Sequence, residues 1–264
     1  MRFPFVSALS LVLVVSACAT PPPPIEHAGS GGVVRAFDAE EARQLGSIAT
    51  DVTVEVCRIL GVEPRPFAIN AYQDDADHAG GIRVERDRHG QIIGRTIELR
   101  AGVWSAPRFL IAHEFTHWSV AGSPWDRLPH AAEEGLCDFV AGQVAPESRD
   151  ERVLDLKARA ARGLDAPVDD VLALTSRTWE HADVGAKQSA YALGYFLVER
   201  IGLERLRGLC ESVVSLGPSD LSTEQLLEAA GLDRATLMTA LRAWGAEASQ
   251  QPFELRLKLA PSGG

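Results

Sequence analysis

The sequence predicts an α+β fold: a small mixed sheet in the N-terminal half, two apolar helices at mid-chain, and a mostly helical remainder. Three observations carry this. Between Phe67 and Arg100, short apolar runs alternate with polar residues around turn-forming ones, as half-buried strands do. Between Ala106 and Gly142 lie two apolar stretches, each opened by a proline and long enough for a helix. Beyond Gly142 apolar residues recur at helical spacing with polar residues between them.

The first element reads as a sorting signal. Arg2 precedes an apolar run from Phe3 to Val15, too short for a transmembrane helix. It ends in Val15-Ser16-Ala17-Cys18, which resembles the bacterial lipobox. That resemblance implies cleavage after residue 17 and acylation of Cys18, so that a lipid anchor holds the chain at a bacterial envelope membrane. Multiple acyl chains give stable anchoring, each buried CH₂ contributing about 0.8 kcal/mol. Ala19 is not the aspartate of inner-membrane retention, so the expected place is the outer membrane, facing the periplasm. Residues 18–36, with four prolines and then glycines, read as a tether that builds no core and leaves His27 solvated.

Asp38 to Leu60 follows as a helix, capped by Asp38 and stopped by Gly61. Phe67–Tyr72 reads as a strand, and Asp74–Gly81 as a polar, solvated loop whose aspartates fit no calcium pattern. Ile82–Arg86 and Gln91–Arg100 flank Asp87–Gly90 as a hairpin, with Thr96–Arg100 alternating.

The next helix carries the chemistry. Arg108 to Val120 has no internal Gly or Pro; Pro107 suits its first turn, Ser105 its cap, and Gly122 and Pro124 its stop. It is apolar on more than one side and so predicted to be buried, yet it contains His113-Glu114-Phe115-Thr116-His117. Two histidines four apart share a helix face and can grip one metal ion, and the glutamate beside the first can hold a proton of an activated water. Buried in an apolar helix, such groups need something to satisfy them.

Leu128 to Gly142 supplies the complement. Pro129 suits a helix start, and the small residues Ala131, Ala132, Gly135 and Ala141 permit close approach of another helix. A catalytic zinc takes three protein ligands and keeps one open position; His113, His117 and Glu134 would be the three. Asp138, one turn beyond Glu134, is placed to hold the other ring nitrogen of a ligating histidine. Glu133 competes for the third position, but its neighbour one turn on is Cys137 rather than a carboxylate. Cys137 itself reads as a small apolar filler.

The pair H-E-x-x-H … E-G-L-x-[DE]-[FY] resembles the gluzincin metallopeptidases, in particular the small bacterial peptidase-MA-like members. The match covers Ala106 to Gly142. It implies a zincin-like catalytic core over residues 37–145 with one Zn²⁺ per chain. His113, His117 and Glu134 would be its ligands, Glu114 its general base, and Asp138 the partner of a zinc histidine. The chain departs from the pattern at His130-Ala131-Ala132, where the family has Trp-Leu, and at Cys137, where it has a small residue. By analogy with that fold, Gln91–Arg100 would be the edge strand lining the cleft.

Residues 146–260 read as a helical part completing the site, with helices at Arg152–Arg162, Lys187–Ile201, Leu203–Val214, Thr223–Ala230 and Arg234–Ala248. The stretch Gln188–Gly202 resembles the helix downstream of the zinc site in these peptidases. It makes Tyr191 the first candidate for stabilising an oxyanion, with His181 and Tyr195 as alternatives. Trp118, Trp125 and Trp179 read as packing residues.

Composition bounds the partners. A net charge of −10 argues against nucleic acid and against adhesion to anionic lipid. Cys57, Cys137 and Cys210 have no regular spacing and form no disulfide framework. The expected activity is zinc-dependent hydrolysis of a peptide or protein substrate. The alternatives are a zinc amidase acting on peptidoglycan peptides and a catalytically silent scaffold of envelope assembly.

Overall fold

The computed structural model describes residues 25–29, 31–73, 80–89, 92–100, 106–216 and 220–247. The signal, Cys18, most of the Asp74–Gly81 loop and Ser105 lie outside them. Five strands form one mixed sheet, in the spatial order Ile25–Ala28 (β1), Gly32–Ala36 (β2), Phe67–Gln73 (β3), Ile92–Arg100 (β5) and Gly80–Arg86 (β4), followed by a mostly helical chain. Among the described residues no helix is long and apolar enough to cross a membrane.

The tether is shorter than the sequence suggests. Ile25–Ala28 (β1) and Gly32–Ala36 (β2) pair antiparallel, and β2 runs parallel to Phe67–Gln73 (β3). Val33, Val34 and Ala36 supply the apolar content that outweighs the glycines; Val34 and Ala36 are buried. His27 is half-buried rather than solvated, its ring against Gly46 of the first helix.

That helix, Ala39–Leu60 (α1), begins and ends as its sequence dictates. The Asp38 carboxylate accepts from the N–H groups of Glu40 and Glu41, and Gly61 closes it in the left-handed conformation. Gly80–Arg86 (β4) and Ile92–Arg100 (β5) form the antiparallel hairpin. β5 lies between β3 and β4, so the free edge on this side of the sheet is β4, not Gln91–Arg100. The two-residue period places Val34, Ala36, Ile69, Ala71, Ile97 and Leu99 in the core, all nearly inaccessible. Burying each of the larger ones contributes about 1.5–3 kcal/mol.

Pro107–Val120 (α2) packs on α1, and His130–Val144 (α3) packs on α2. α2 starts from Ala106, which offers no side-chain cap, with Pro107 at its first turn. A 3₁₀ turn at Pro124–Arg127 joins it to α3, pinned by the Trp125 indole N–H donating to Leu60 O. Then come Pro146–Arg162 (α4), Val168–Leu172 (α5), Ser176–Trp179 (α6), Val184–Ile201 (α7), Leu203–Leu216 (α8), Thr223–Ala229 (α9) and Arg234–Ala246 (α10). Proline at the start of α4 and Asp183 capping α7 begin these helices earlier than apolar spacing alone suggests.

The seam between α3 and α7 is a close one. A Cβ on Gly135 would lie 1.9 Å from the Gly194 carbonyl carbon, and one on Gly194 would lie 1.8 Å from Ala131 O. Glycine at both positions lets backbone meet backbone. One buried cluster runs from Val34 to Trp244, so sheet and helices share a core.

Candidate metal centre

α2 brings His113 and His117 to one buried face, and α3 lies across it. Both Nε2 atoms converge on the same oxygen, Glu134 Oε2, at 3.4 Å from His113 and 3.5 Å from His117. The outer ring nitrogens are held separately. Asp138 Oδ1 lies 3.0 Å from His113 Nδ1, and Glu133 Oε1 lies 2.8 Å from His117 Nδ1. A carboxylate only accepts, so each Nδ1 carries the proton and each Nε2 is left as a donor atom toward the centre.

The ligating atoms of His113, His117 and Cys137 all lie within 4.8 Å of one another, a buried group that could hold a metal ion. Cys137 is therefore not only a filler: its thiol reaches His117. Burial pushes that thiol well above its ordinary range, against the pull of His117.

Glu134 meets the same requirement in another way. Its Oε2 is buried and has no hydrogen-bond partner, a costly condition for a carboxylate oxygen. Donors bonded to one tetrahedral zinc at 2.0–2.1 Å sit about 3.4 Å apart, the spacing between Oε2 and each Nε2. The residues present fit a zinc ion on these grounds.

The electrostatics point the same way. Burial opposes a proton on His113, but the hydrogen bond with Asp138 and the Glu134 carboxylate beside it prevail and raise it to about 9. On His117 burial is likewise outweighed, by Cys137 and Glu134, and its basicity rises well above the ordinary value. Burial opposes ionisation of Glu133, yet the hydrogen bond with His117 and the nearby His130 ring bring it to about 2. Glu134 is similarly held well below the carboxylate range by the two histidines. A field that favours a proton on the rings favours a metal cation by the same sign.

Glu114 follows His113 in the helix and is buried, and burial pushes its carboxyl up. The start of β4 lies on it: a Cβ at Gly80 would come within 2.8 Å of Glu114 Oε1. Asp138 is kept ionised against burial by Arg152 of α4, whose Nε and Nη2 lie 2.8 and 2.7 Å from Oδ2.

Of the three oxyanion candidates, Tyr191 lies beside the His113 and His117 face. Its ring is 6.0 Å from that of His113, with the Arg152 guanidinium 4.8 Å above it. Burial, then the charges of Glu134 and Asp138, hold its phenol protonated. Tyr195 points elsewhere, between Phe139 and Trp244. His181 is exposed in the turn after α6. Trp118 and Trp125 are buried packing residues, whereas Trp179 packs edge-on against both His130 and Tyr191.

Three neighbours escape a sequence reading. Glu133 is weighed there as a rival ligand through its intrahelical neighbour, whereas its partner His117 stands on a different helix. Arg152 reaches Asp138 from α4, with no spacing rule to announce it. His130 stands at i−4 from Glu134 and could have been found by that spacing. Compared with protein-family models and with curated proteins, the chain matches none.

Proposed function

We propose that this chain is a zinc metallopeptidase of the gluzincin type, with a zincin-like core and a lipid anchor on Cys18 at a bacterial envelope membrane. The observation that carries the reading is the convergence of His113 Nε2 and His117 Nε2 on the unpartnered Glu134 Oε2, with Glu114 buried beside them. His113, His117 and Glu134 would hold one Zn²⁺. Bound there, zinc supplies Lewis acidity and makes water a competent nucleophile near neutral pH.

The protein's own groups do the rest. Asp138 and Glu133 fix the histidine rings and their tautomers. Glu114 accepts a proton from the attacking water and delivers it to the leaving amine. A carboxyl raised by burial suits that exchange at neutral pH. Tyr191, holding its proton, donates to the carbonyl oxygen as charge develops on it. The substrate is a peptide or protein; peptidoglycan peptides offer the same amide chemistry. Glu114→Gln keeps the ligands and removes the base, so peptide hydrolysis should fall to background while zinc content is unchanged. Full activity in that variant rules the mechanism out.

One observation favours a second reading. Cys137 stands with the histidines. Four protein donors (His113, His117, Glu134 and Cys137) would close a tetrahedral site and leave no place for water, as structural zinc sites do. The chain would then be a silent scaffold. Cys137→Ala separates the two: it leaves hydrolysis intact in a peptidase and removes a ligand from a closed site.

A further inference from the structure

We propose that His130 is a positioning residue for this centre: its ring stands between Glu133 and Glu134 and holds the Glu134 carboxylate so that a single oxygen faces the cation. The proposal rests on the reading of Glu134 as a ligand and adds to it the device that orients that ligand.

His130 opens α3, one helical turn before Glu134. Its Nε2 lies 3.3 Å from Glu134 Oε1, the oxygen that the two metal-binding histidines do not share. Its Nδ1 lies 3.8 Å from Glu133 Oε2, while the other oxygen of Glu133 holds His117. One imidazole thus faces both carboxylates: the one that would bind the ion and the one that orients a neighbouring ligand.

The ring has no better employment. Both nitrogens are buried and neither has a hydrogen-bond partner. A residue there for packing alone would be apolar, since a buried imidazole gives up its hydration for nothing in return. The side chain is held by Trp179, edge-on at 4.7 Å, and Trp179 is itself packed on Tyr191 at 5.7 Å. The ring is confined by aromatic neighbours with its nitrogens toward carboxylates. At 3.3 Å, Nε2 is already within hydrogen-bonding distance of Oε1, so a rotation, not a translation, completes the bond.

A carboxylate engaged at Oε1 offers only Oε2. That removes the two-oxygen mode of binding and leaves a coordination position for substrate or water. Outer partners of this kind typically contribute 10–100-fold to metal affinity.

The test uses the full chain and zinc itself. Affinity is measured by competition with a chromophoric chelator, and the geometry is read from the visible spectrum of the Co²⁺-substituted protein. His130→Phe keeps the aromatic contact with Trp179 and removes both nitrogens. His130→Gln returns an N–H that can reach a carboxylate oxygen. We expect His130→Phe to bind zinc about 10–100-fold more weakly, with a shifted Co²⁺ spectrum, and His130→Gln to restore both. Wild-type affinity and spectrum in His130→Phe reduce the residue to packing and overturn the proposal. So does a His130→Gln variant as weak as His130→Phe, which would make the ring nitrogen itself a ligand. If the wild type binds no zinc, the metal reading fails and takes this proposal with it, a result distinct from either of the others.

Discussion

Gly135→Ala is the sharpest perturbation the fold offers. In an exposed helix interior this exchange stabilises by about 1 kcal/mol, because alanine has the higher helix propensity. Here the new Cβ would sit 1.9 Å from the Gly194 carbonyl carbon and 2.2 Å from Tyr195 N. Reaching ordinary contact near 3.4 Å requires α3 and α7 to part by about 1.5 Å. Both obstacles are backbone, so no rotamer change relieves them. Overpacking of this kind costs about 1–3 kcal/mol and occasionally more; rigid backbone on both sides puts this case at the upper end. For a chain of this size about 3 kcal/mol lowers the melting temperature by roughly 6–12 °C. The same seam sets the distance between Glu134 on α3 and Tyr191 on α7, and a displacement of about 1 Å in an active site can cost about 10²-fold in rate. Thermal melting followed by circular dichroism, with kcat/KM on a peptide substrate, checks both effects. Gly208→Ala is the control: it is exposed on α8 with nothing within 4 Å, and it should melt at or above wild type. If Gly135→Ala melts like Gly208→Ala, the packing argument is refuted.

Two further outcomes follow from the site. Gly80→Ala should press on the Glu114 carboxylate, which it would meet at 2.8 Å, and lower kcat without changing zinc content; an unaltered kcat would show that β4 does not constrain the base. Asp138→Asn keeps the shape but weakens the grip on His113 Nδ1 and removes the nearer of the two carboxylates paired with Arg152. Zinc affinity by chelator competition should fall about 10–100-fold, and no change would remove Asp138 from the centre.

The helices were legible where the sequence supplied both a period and a punctuation mark. Asp38 and Gly61 delimit α1 because one side chain caps the first turn and one residue tolerates the left-handed stop. Proline marked α2. The shared face of His113 and His117 was legible because a helix converts i,i+4 spacing into adjacency, so it needed no tertiary information. What stayed hidden depends on contacts between elements. β1 and β2 look like a glycine-rich linker until β3 is there to pair with β2. β5 looks like an edge until β3 takes its other side. Glu133 and Arg152 reveal their partners only when α2, α3 and α4 are packed together.

The central claim is a metal centre built from α2 and α3 with Glu134 as its third ligand. Zinc content per chain, measured by mass spectrometry on the purified wild type, Glu134→Ala and Cys137→Ala side by side, tests it most directly. The account predicts one zinc in the wild type, one in Cys137→Ala and none in Glu134→Ala. A wild type without metal, or a loss that falls on Cys137→Ala while Glu134→Ala keeps its zinc, would contradict it.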